Sequence, residues 1–192
     1  MKVVFLIALV VCCVKSSATQ SCKGPRTLKK FYPQRIKGRW YGLQIYWPFP
    51  GLEIWRDYSN TFTPQSNGSM IWGFDLRYGG TLNFTMCSNW TRDLVPTDTV
   101  GKYNWILDGT AVDSLYFVRT DYKNFLITYQ KSPSFDNIRM ITIWGRKTSL
   151  SSRLKKRTKN ILATEFCLSN DDMETYMWIN KHENRCPAKG ER

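Results

Sequence analysis

Short segments in which hydrophobic and polar residues alternate follow one another along the chain, and turn-forming residues separate them. Alternation with a period of two is typical of half-buried β-strands. The pattern predicts eight strands, over residues 39–47, 58–63, 69–77, 81–88, 102–107, 114–120, 125–130 and 138–146. Eight antiparallel strands joined by hairpins can close into a barrel with room for one small ligand. We therefore expect an all-β fold, an eight-stranded antiparallel up-and-down β-barrel.

The period of the pattern changes after the eighth predicted strand. Hydrophobic residues then recur with helical spacing, at Leu150, Leu154, Ile161, Leu162 and Leu168. Cationic residues occupy the other side, at Arg153, Lys155, Lys156, Arg157 and Lys159. The pattern predicts one C-terminal α-helix packed on the outside of the barrel, with Ser149 or Ser151 as its N-cap. A final strand is expected near residues 175–180.

A hydrophobic run over residues 3–14 stands at the start of the chain, between Lys2 and Lys15. The run is too short to cross a bilayer as a helix. The order of charge, hydrophobic run and small residues is typical of a signal peptide, whereas a buried N-terminal helix is the alternative. We expect a signal peptide over residues 1–18 and a secreted, extracellular domain over residues 19–192.

Four cysteines remain after residue 18: Cys22, Cys87, Cys167 and Cys186. An even number of well-separated cysteines in an exported chain favours two disulfides, and three pairings are open. No metal site is expected, because no pair of cysteines has the spacing of metal ligands and the one histidine is His182. Glycosylation sequons begin at Asn67, Asn83 and Asn89.

The composition allows one domain with a full core. The 192 residues include 8 Trp, 10 Tyr and 10 Phe, which excludes a disordered chain. Lys and Arg number 28 against 15 Asp and Glu, so the formal net charge is +13. Such a charge suits a polyanion, a membrane surface or an acidic ligand.

Three separated motifs occur in the order that one protein family shows. They are Gly38-Arg39-Trp40-Tyr41 at the first predicted strand, Thr120-Asp121-Tyr122 between the sixth and seventh, and Gly145-Arg146 at the end of the eighth. With these motifs the chain resembles the lipocalin family over nearly its whole length after residue 18. The resemblance implies that Trp40 plugs the closed end of the barrel and that Arg146 packs over its indole ring.

The resemblance also implies which residues have structural roles. The expected scaffold residues are Gly38, Trp40, Thr120, Asp121, Tyr122 and Arg146. The cysteine arrangement of retinol-binding-protein-like members implies the disulfides Cys22–Cys167 and Cys87–Cys186.

Setting the strand register from the three motifs predicts which side chains face the interior. The candidates for ligand binding are Leu52, Ile54, Trp72, Phe74, Tyr103, Trp105, Leu115, Phe117, Met140 and Thr142. An aromatic interior with few polar groups favours a small hydrophobic ligand, such as a retinoid, fatty acid, sterol, bilin or carotenoid pigment. The alternative is that these side chains simply fill the core of a small barrel.

No catalytic residues are expected, because His182 lies in the tail and the cysteine four residues after it, Cys186, is expected to be oxidised in a disulfide. The leading hypothesis is a secreted carrier that performs no chemistry and needs no cofactor beyond its non-covalent ligand. A second is an interaction protein whose basic helix face binds a polyanion, an anionic membrane or a receptor; nucleic acid is not expected. A third is a scavenger of eicosanoids or amines, and the scarcity of inward carboxylates weakens its amine version. Arg56, Arg77 and Arg119 are candidates to pair with a ligand carboxylate.

Overall fold

The computed structural model describes residues 26–49, 55–79, 85–132 and 138–181, and it has nine strands within them. The strands are β1 (Gly38–Tyr46), β2 (Trp55–Pro64), β3 (Met70–Gly79), β4 (Thr85–Pro96), β5 (Lys102–Leu107), β6 (Thr110–Thr120), β7 (Phe125–Ser132), β8 (Ile138–Gly145) and β9 (Met177–Ile179). A 3₁₀ helix precedes β1 at Pro33–Ile36, and the helices α1 (Ser152–Glu165) and α2 (Asn170–Tyr176) lie between β8 and β9.

Strands β1 to β8 form a closed antiparallel barrel. Each strand pairs with the next along the chain, and β8 pairs with β1, which also pairs with β2. The predicted eight-stranded up-and-down barrel is therefore confirmed. The ninth strand adds to β1 as an extra strand.

The prediction of a single C-terminal helix is incomplete, because α2 follows α1. Helix α2 begins at a capping box, in which Ser169 Oγ accepts from Asp172 N at 3.0 Å and Asp172 Oδ2 accepts from Ser169 N at 2.8 Å. The hydrogen bonds from Ser169 lower the pKa of Asp172. No residue of α2 is buried. The helix therefore has no apolar stripe by which the sequence pattern could predict it.

The fourth strand lies later in the chain than the predicted residues 81–88. Strands β3 and β4 pair from Met70 opposite Leu94 to Gly79 opposite Thr85. The error has a physical reason, because the second half of β4 places Arg92 on the same face as the buried ring of Trp72. A charged residue at an inward position hides the alternation that marks a strand.

The closed end of the barrel is built around Trp40, which is fully buried. Its indole Nε1 donates to the carbonyl of Ile36 in the 3₁₀ helix at 2.8 Å. The chain enters β1 through Gly38, whose φ of +95° is one that side-chain-bearing residues rarely adopt. The 3₁₀ helix and Trp40 thereby seal this end.

The turn from β6 to β7 is organised by the carboxylate of Asp121. Asp121 Oδ1 accepts from the backbone N–H groups of Lys123 at 3.0 Å, Asn124 at 2.7 Å and Phe125 at 3.0 Å. Burial alone would raise the pKa of Asp121, but the hydrogen bonds outweigh it and hold the pKa below its ordinary value. Tyr122 has a φ of 63°, and its N–H donates to Thr120 Oγ1 at 2.8 Å. All three residues of this motif therefore shape the turn.

Strands β1 and β2 pair only at one end and then separate, and Asn180 bridges them where they are apart. The two strands pair only from Gly38 opposite Phe62 to Tyr41 opposite Ser59, after which β1 pairs with β9. The buried Asn180 Nδ2 donates to the carbonyls of Gly42 at 2.6 Å and Tyr58 at 3.0 Å. One side chain thus donates to a buried backbone carbonyl on each of two strands that no longer pair with each other at this level.

Helix α1 packs on the outside of the barrel, as predicted. Its start is capped by Ser151, whose Oγ accepts from Leu154 N at 3.4 Å. The helix residues Ile161 and Leu162 are buried against an outer layer formed by Val118, Phe125, Ile127, Tyr129, Ile141 and Ile143. None of the described helices has the length and hydropathy needed to cross a membrane.

Candidate functional site

Strand alternation directs one set of side chains into the barrel, and these form a single connected cluster. Of the predicted inward residues, six are buried on this face: Trp72, Phe74, Tyr103, Leu115, Phe117 and Thr142. Trp105 and Met140 face the same way and are half-buried. Leu52 and Ile54 lie outside the described residues.

The half of the interior next to Trp40, which we call the lower half, is packed with rings. Phe62 lies 5.5 Å from Phe117 and 6.3 Å from Trp72 between ring centres, and Tyr103 lies 5.6 Å from Phe117. All four residues are at most 4% exposed. The interpretation that side chains fill the core therefore describes the lower half.

Two tyrosines of the interior stay protonated. Burial raises the pKa of the Tyr58 phenol, and a hydrogen bond from Asn60 only partly opposes that shift. Burial also raises the pKa of Tyr103. Neither phenol therefore adds a negative charge to the aromatic interior near neutral pH.

The half of the interior away from Trp40, the upper half, is less filled. Its lining residues are half-buried, and they are Trp90, Arg92, Trp105, Asp113, Gln130 and Met140. Register places them on the inner face, since Trp90 lies opposite Phe74, Asp113 opposite Trp105 and Gln130 opposite Met140. The ring of Trp90 stacks on Phe74 with 4.3 Å between centres. The lining of this half is therefore more accessible than that of the lower half.

Arg92 brings a cation to the upper half. Its guanidinium carbon lies 4.7 Å from the ring centre of Trp90 and 5.5 Å from that of Trp105, which is the geometry of cation–π contact. Its Nη1 donates to the carbonyl of Thr91 at 3.1 Å. The Nε atom is buried and has no hydrogen-bond partner in the protein.

Asp113 brings a carboxylate to the same region. Its Oδ2 accepts from Gln130 Nε2 at 2.9 Å, whereas its Oδ1 is buried without a protein partner. Trp105, directly opposite on β5, likewise has a buried Nε1 without a partner. The upper half is therefore aromatic but carries opposite charges on β4 and β6, the two strands that flank β5.

The expectation of few inward polar groups is wrong for the upper half, where Arg92, Asp113 and Gln130 face inward, and Asp113 is an inward carboxylate that the sequence-based prediction did not include. Asp113 lies two residues before Leu115 in β6 and shares its inward face. In β4, Arg92 and Trp90 lie two and four residues before Leu94 and share its inward face. Arg92 and Asp113 were missed because charged side chains are seldom directed into a barrel. The alternation itself was the signal that could have found them.

The arginines expected to meet a ligand carboxylate are engaged elsewhere. Arg77 Nε donates to Asp57 Oδ2 at 2.5 Å, and Arg119 contacts both carboxylate oxygens of Glu165 at 2.8 Å. Arg56 lies opposite Arg77 and donates through Nη1 to the carbonyl of Trp55 at 2.8 Å. Among the described residues, Arg92 is the arginine that the register places on the inner face.

The predicted modification sites differ in their surroundings. Asn67 is exposed at the hairpin between β2 and β3. Asn89 is half-buried, and its Nδ2 donates to Asp75 Oδ1 at 2.5 Å. Asn83 lies outside the described residues.

The cysteines and the histidine lie largely beyond what the structure describes. Cys87 and Cys167 are both disulfide-bonded. Cys22, Cys186 and His182 are outside the described residues. Within the described part of the chain, no three His, Cys, Asp or Glu side chains are grouped so that they could hold a metal ion.

Comparison with known proteins bears on the barrel as a whole. The model of the lipocalin / cytosolic fatty-acid binding protein family matches residues 37–176. The match begins one residue before β1 and ends with α2. The curated proteins contain no match to the chain.

Proposed function

Because this chain belongs to the lipocalin / cytosolic fatty-acid binding protein family, we propose that it is a secreted carrier of a small hydrophobic molecule. Barrels of this family typically bind small hydrophobic ligands, and its members are generally carriers rather than enzymes. The ligand is held in the upper half of the barrel, and the protein performs no chemistry on it.

The observation that carries this proposal is the contrast between the two halves of the interior. Rings fill the lower half, whereas Trp90, Trp105 and Met140 in the upper half are only half-buried. A ligand that covers these side chains removes apolar surface from water, which contributes about 25 cal/mol per Å². A retinoid, fatty acid, sterol, bilin or carotenoid has the flat or elongated apolar body that suits such a lining.

The proposed binding residues extend the predicted set by those that the register adds. They are Leu52, Ile54, Trp72, Phe74, Trp90, Arg92, Tyr103, Trp105, Asp113, Leu115, Phe117, Gln130, Met140 and Thr142. The residues nearest the ligand are the half-buried ones, Trp90, Trp105 and Met140.

Secretion is part of the same proposal. Residues 1–18 serve as a signal peptide, and the domain of residues 19–192 is exported with disulfides Cys22–Cys167 and Cys87–Cys186. The disulfide-bonded state of Cys87 and Cys167 supports export, because an oxidising compartment keeps such bonds intact, and the pairing is the one that the family resemblance implies.

Titration of the exported domain, residues 19–192, with retinol, palmitic acid and biliverdin tests the carrier function. We expect saturable quenching of tryptophan fluorescence with at least one of them. Met140→Trp adds bulk to the upper half and should abolish the quenching, whereas Tyr116→Trp, on the outer face of β6, should leave the affinity unchanged. Absence of saturable quenching with all three, together with no ligand retained by the purified protein in mass spectrometry, rejects the proposal.

A second candidate function uses the cationic face of α1. Its five cations, Arg153, Lys155, Lys156, Arg157 and Lys159, are all exposed, which favours a polyanion, an anionic membrane or an acidic receptor as partner. Retention on heparin that is lost when the five are changed to Gln supports this function. Retention no stronger than that of an unrelated protein of equal isoelectric point excludes it.

The scavenger function for eicosanoids or amines gains one supporting observation. Asp113 supplies the inward carboxylate that an amine ligand needs. The carrier tests above apply equally to such ligands.

A further inference from the structure

Three polar atoms in the upper half of the barrel are buried and lack a partner in the protein. They are Arg92 Nε, Trp105 Nε1 and Asp113 Oδ1. Buried polar atoms in proteins are almost always hydrogen-bonded. A group that binds beside these residues can therefore gain hydrogen bonds without breaking any that the protein makes.

The three atoms belong to one continuous surface. Trp105 on β5 lies directly opposite Asp113 on β6, and the Arg92 guanidinium on β4 lies 5.5 Å from the Trp105 ring. We call Arg92, Trp105 and Asp113 the polar belt. No ion pair joins Arg92 to Asp113 among the described residues, because the indole of Trp105 stands on the strand between them.

The chemistry of the belt is two-sided. Arg92 and Trp105 offer donors, which suit an anionic or carbonyl oxygen. Asp113 offers an acceptor, which suits a hydroxyl or an amine. The orientation of that carboxylate is fixed, since its other oxygen accepts from Gln130 at 2.9 Å.

The strand geometry also separates the donor side of the belt, at Arg92, from its acceptor side, at Asp113. Neighbouring strands lie about 4.8 Å apart, so the backbones of β4 and β6 are roughly 10 Å apart. A ligand that contacts both Arg92 and Asp113 therefore carries its acceptor and its donor at different positions along its body.

We propose that the polar belt selects a long-chain carboxylic acid that also bears a hydroxyl group. The carboxylate binds Arg92 and Trp105, and the hydroxyl donates to Asp113 Oδ1. This inference rests on the proposed carrier function and names the ligand class. A plain fatty acid leaves Asp113 Oδ1 unpaired, and a long-chain amine that pairs with Asp113 leaves Arg92 Nε and Trp105 Nε1 without an acceptor.

A matched set of probes tests this selection. Oleic acid, ricinoleic acid, oleylamine and oleyl alcohol share a chain length, and ricinoleic acid is oleic acid with an added hydroxyl. Calorimetric titration of the domain of residues 19–192 should show ricinoleic acid binding about fivefold more tightly than oleic acid, the gain expected for one hydrogen bond. Oleylamine should bind more weakly than either acid.

Variants assign the preference to the named residues. Arg92→Met should weaken both acids by about tenfold, as for loss of a charge-assisted hydrogen bond, and leave oleyl alcohol unchanged. Asp113→Leu should remove the preference for ricinoleic acid without weakening oleic acid. Lys102→Met and Asp93→Asn change like charges on the outer face of the same strands, and both should bind all four probes as the unaltered protein does.

The outcomes separate this inference from the carrier function. Equal affinity for oleic and ricinoleic acids, or a loss of oleyl alcohol binding in Arg92→Met as large as that of the acids, overturns the inference and leaves the carrier function standing. If neither these probes nor retinol, palmitic acid and biliverdin bind, both are rejected.

Discussion

The guanidinium carbon of Arg146 lies 3.9 Å from the centre of the Trp40 ring, over the closed end of the barrel. The same side chain donates through Nη1 to the carbonyl of Arg39 at 3.0 Å and through Nη2 to that of Arg35 at 3.3 Å. Arg146 therefore joins the end of β8 to the start of β1 and to the 3₁₀ helix. It combines a cation–π contact with the hydrogen bonds that its charge requires.

Arg146→Met should destabilise the protein by about 1–3 kcal/mol, because it keeps most of the stem and removes the cation and both hydrogen bonds. Urea unfolding at neutral pH, followed by tryptophan fluorescence, measures the change. Arg153→Met, in the exposed first turn of α1, should alter stability by less than about 0.5 kcal/mol. Equal effects of the two substitutions would show that Arg146 adds nothing beyond a surface charge.

Asn180→Leu should cost about 2–4 kcal/mol, since it leaves the carbonyls of Gly42 and Tyr58 buried without their donor. The structure should also loosen near the substituted residue. Hydrogen exchange should therefore accelerate more at the amides of Tyr58 and Asn180 than at the amide of Ile127 on β7. The matched control is Asn160→Leu on the exposed side of α1, where stability should hardly change. If both leucine variants unfold at the same urea concentration, Asn180 does not hold the separated strands together.

Asp121 should make the stability of the protein depend on acid pH. Its folded pKa lies below the ordinary value of 3.8, so its contribution is fully present above about that pH and is lost as pH falls through the folded pKa. Asp121→Asn should therefore be less stable than the unaltered protein at neutral pH. The difference in the free energy of unfolding between the two proteins, which we call the gap, should become smaller in stronger acid. Urea unfolding at a series of pH values measures this gap.

The control for Asp121 is Asp98→Asn, whose carboxylate accepts no hydrogen bond from the described residues. It should leave the stability unchanged across the same pH series. A gap for Asp121→Asn that stays constant as pH falls would show that the ionised carboxylate does not stabilise the turn.

The sequence predicts those parts of the molecule in which burial and pattern agree. Strand β5 lies at the predicted residues, and the inward rings of β3 and β6 lie where alternation placed them. The prediction failed where a charged residue faces inward, as at Arg92 in β4, because alternation is read from hydrophobic residues. It failed again at α2, which has no fully buried residue and whose start is marked only by the cap at Ser169.

The candidate site shows the same limit at the level of single residues. Trp72, Phe74 and Trp105 could be assigned to the interior because alternation and apolar character agree there, whereas at Asp113 the alternation with Leu115 and Phe117 points inward and the charge points to solvent. The role of Asn180 depends on two carbonyls far away in the chain, which no local pattern contains.

Glycosylation should distinguish the sequons at Asn67 and Asn89. Asn67 stands exposed at a hairpin tip, and only its oxygen is used, accepting from Ser69 N at 3.0 Å and from Ser69 Oγ at 2.7 Å. Asn89 is half-buried, and the nitrogen to which a glycan would attach donates to Asp75 Oδ1, beside the ion pair of Asp75 with Arg39.

We therefore expect a glycan on Asn67 and little or none on Asn89 when the full chain is secreted from eukaryotic cells. Peptide mass spectrometry after enzymatic deglycosylation in heavy-oxygen water measures the occupancy of each site. Asn67→Gln should remove the mass shift of the secreted protein at this site, whereas Asn89→Gln should leave the glycan mass unaltered. High occupancy at Asn89 with an unmodified Asn67 would contradict the expectation, because the glycan would then have to be attached before the hydrogen bond between Asn89 and Asp75 forms.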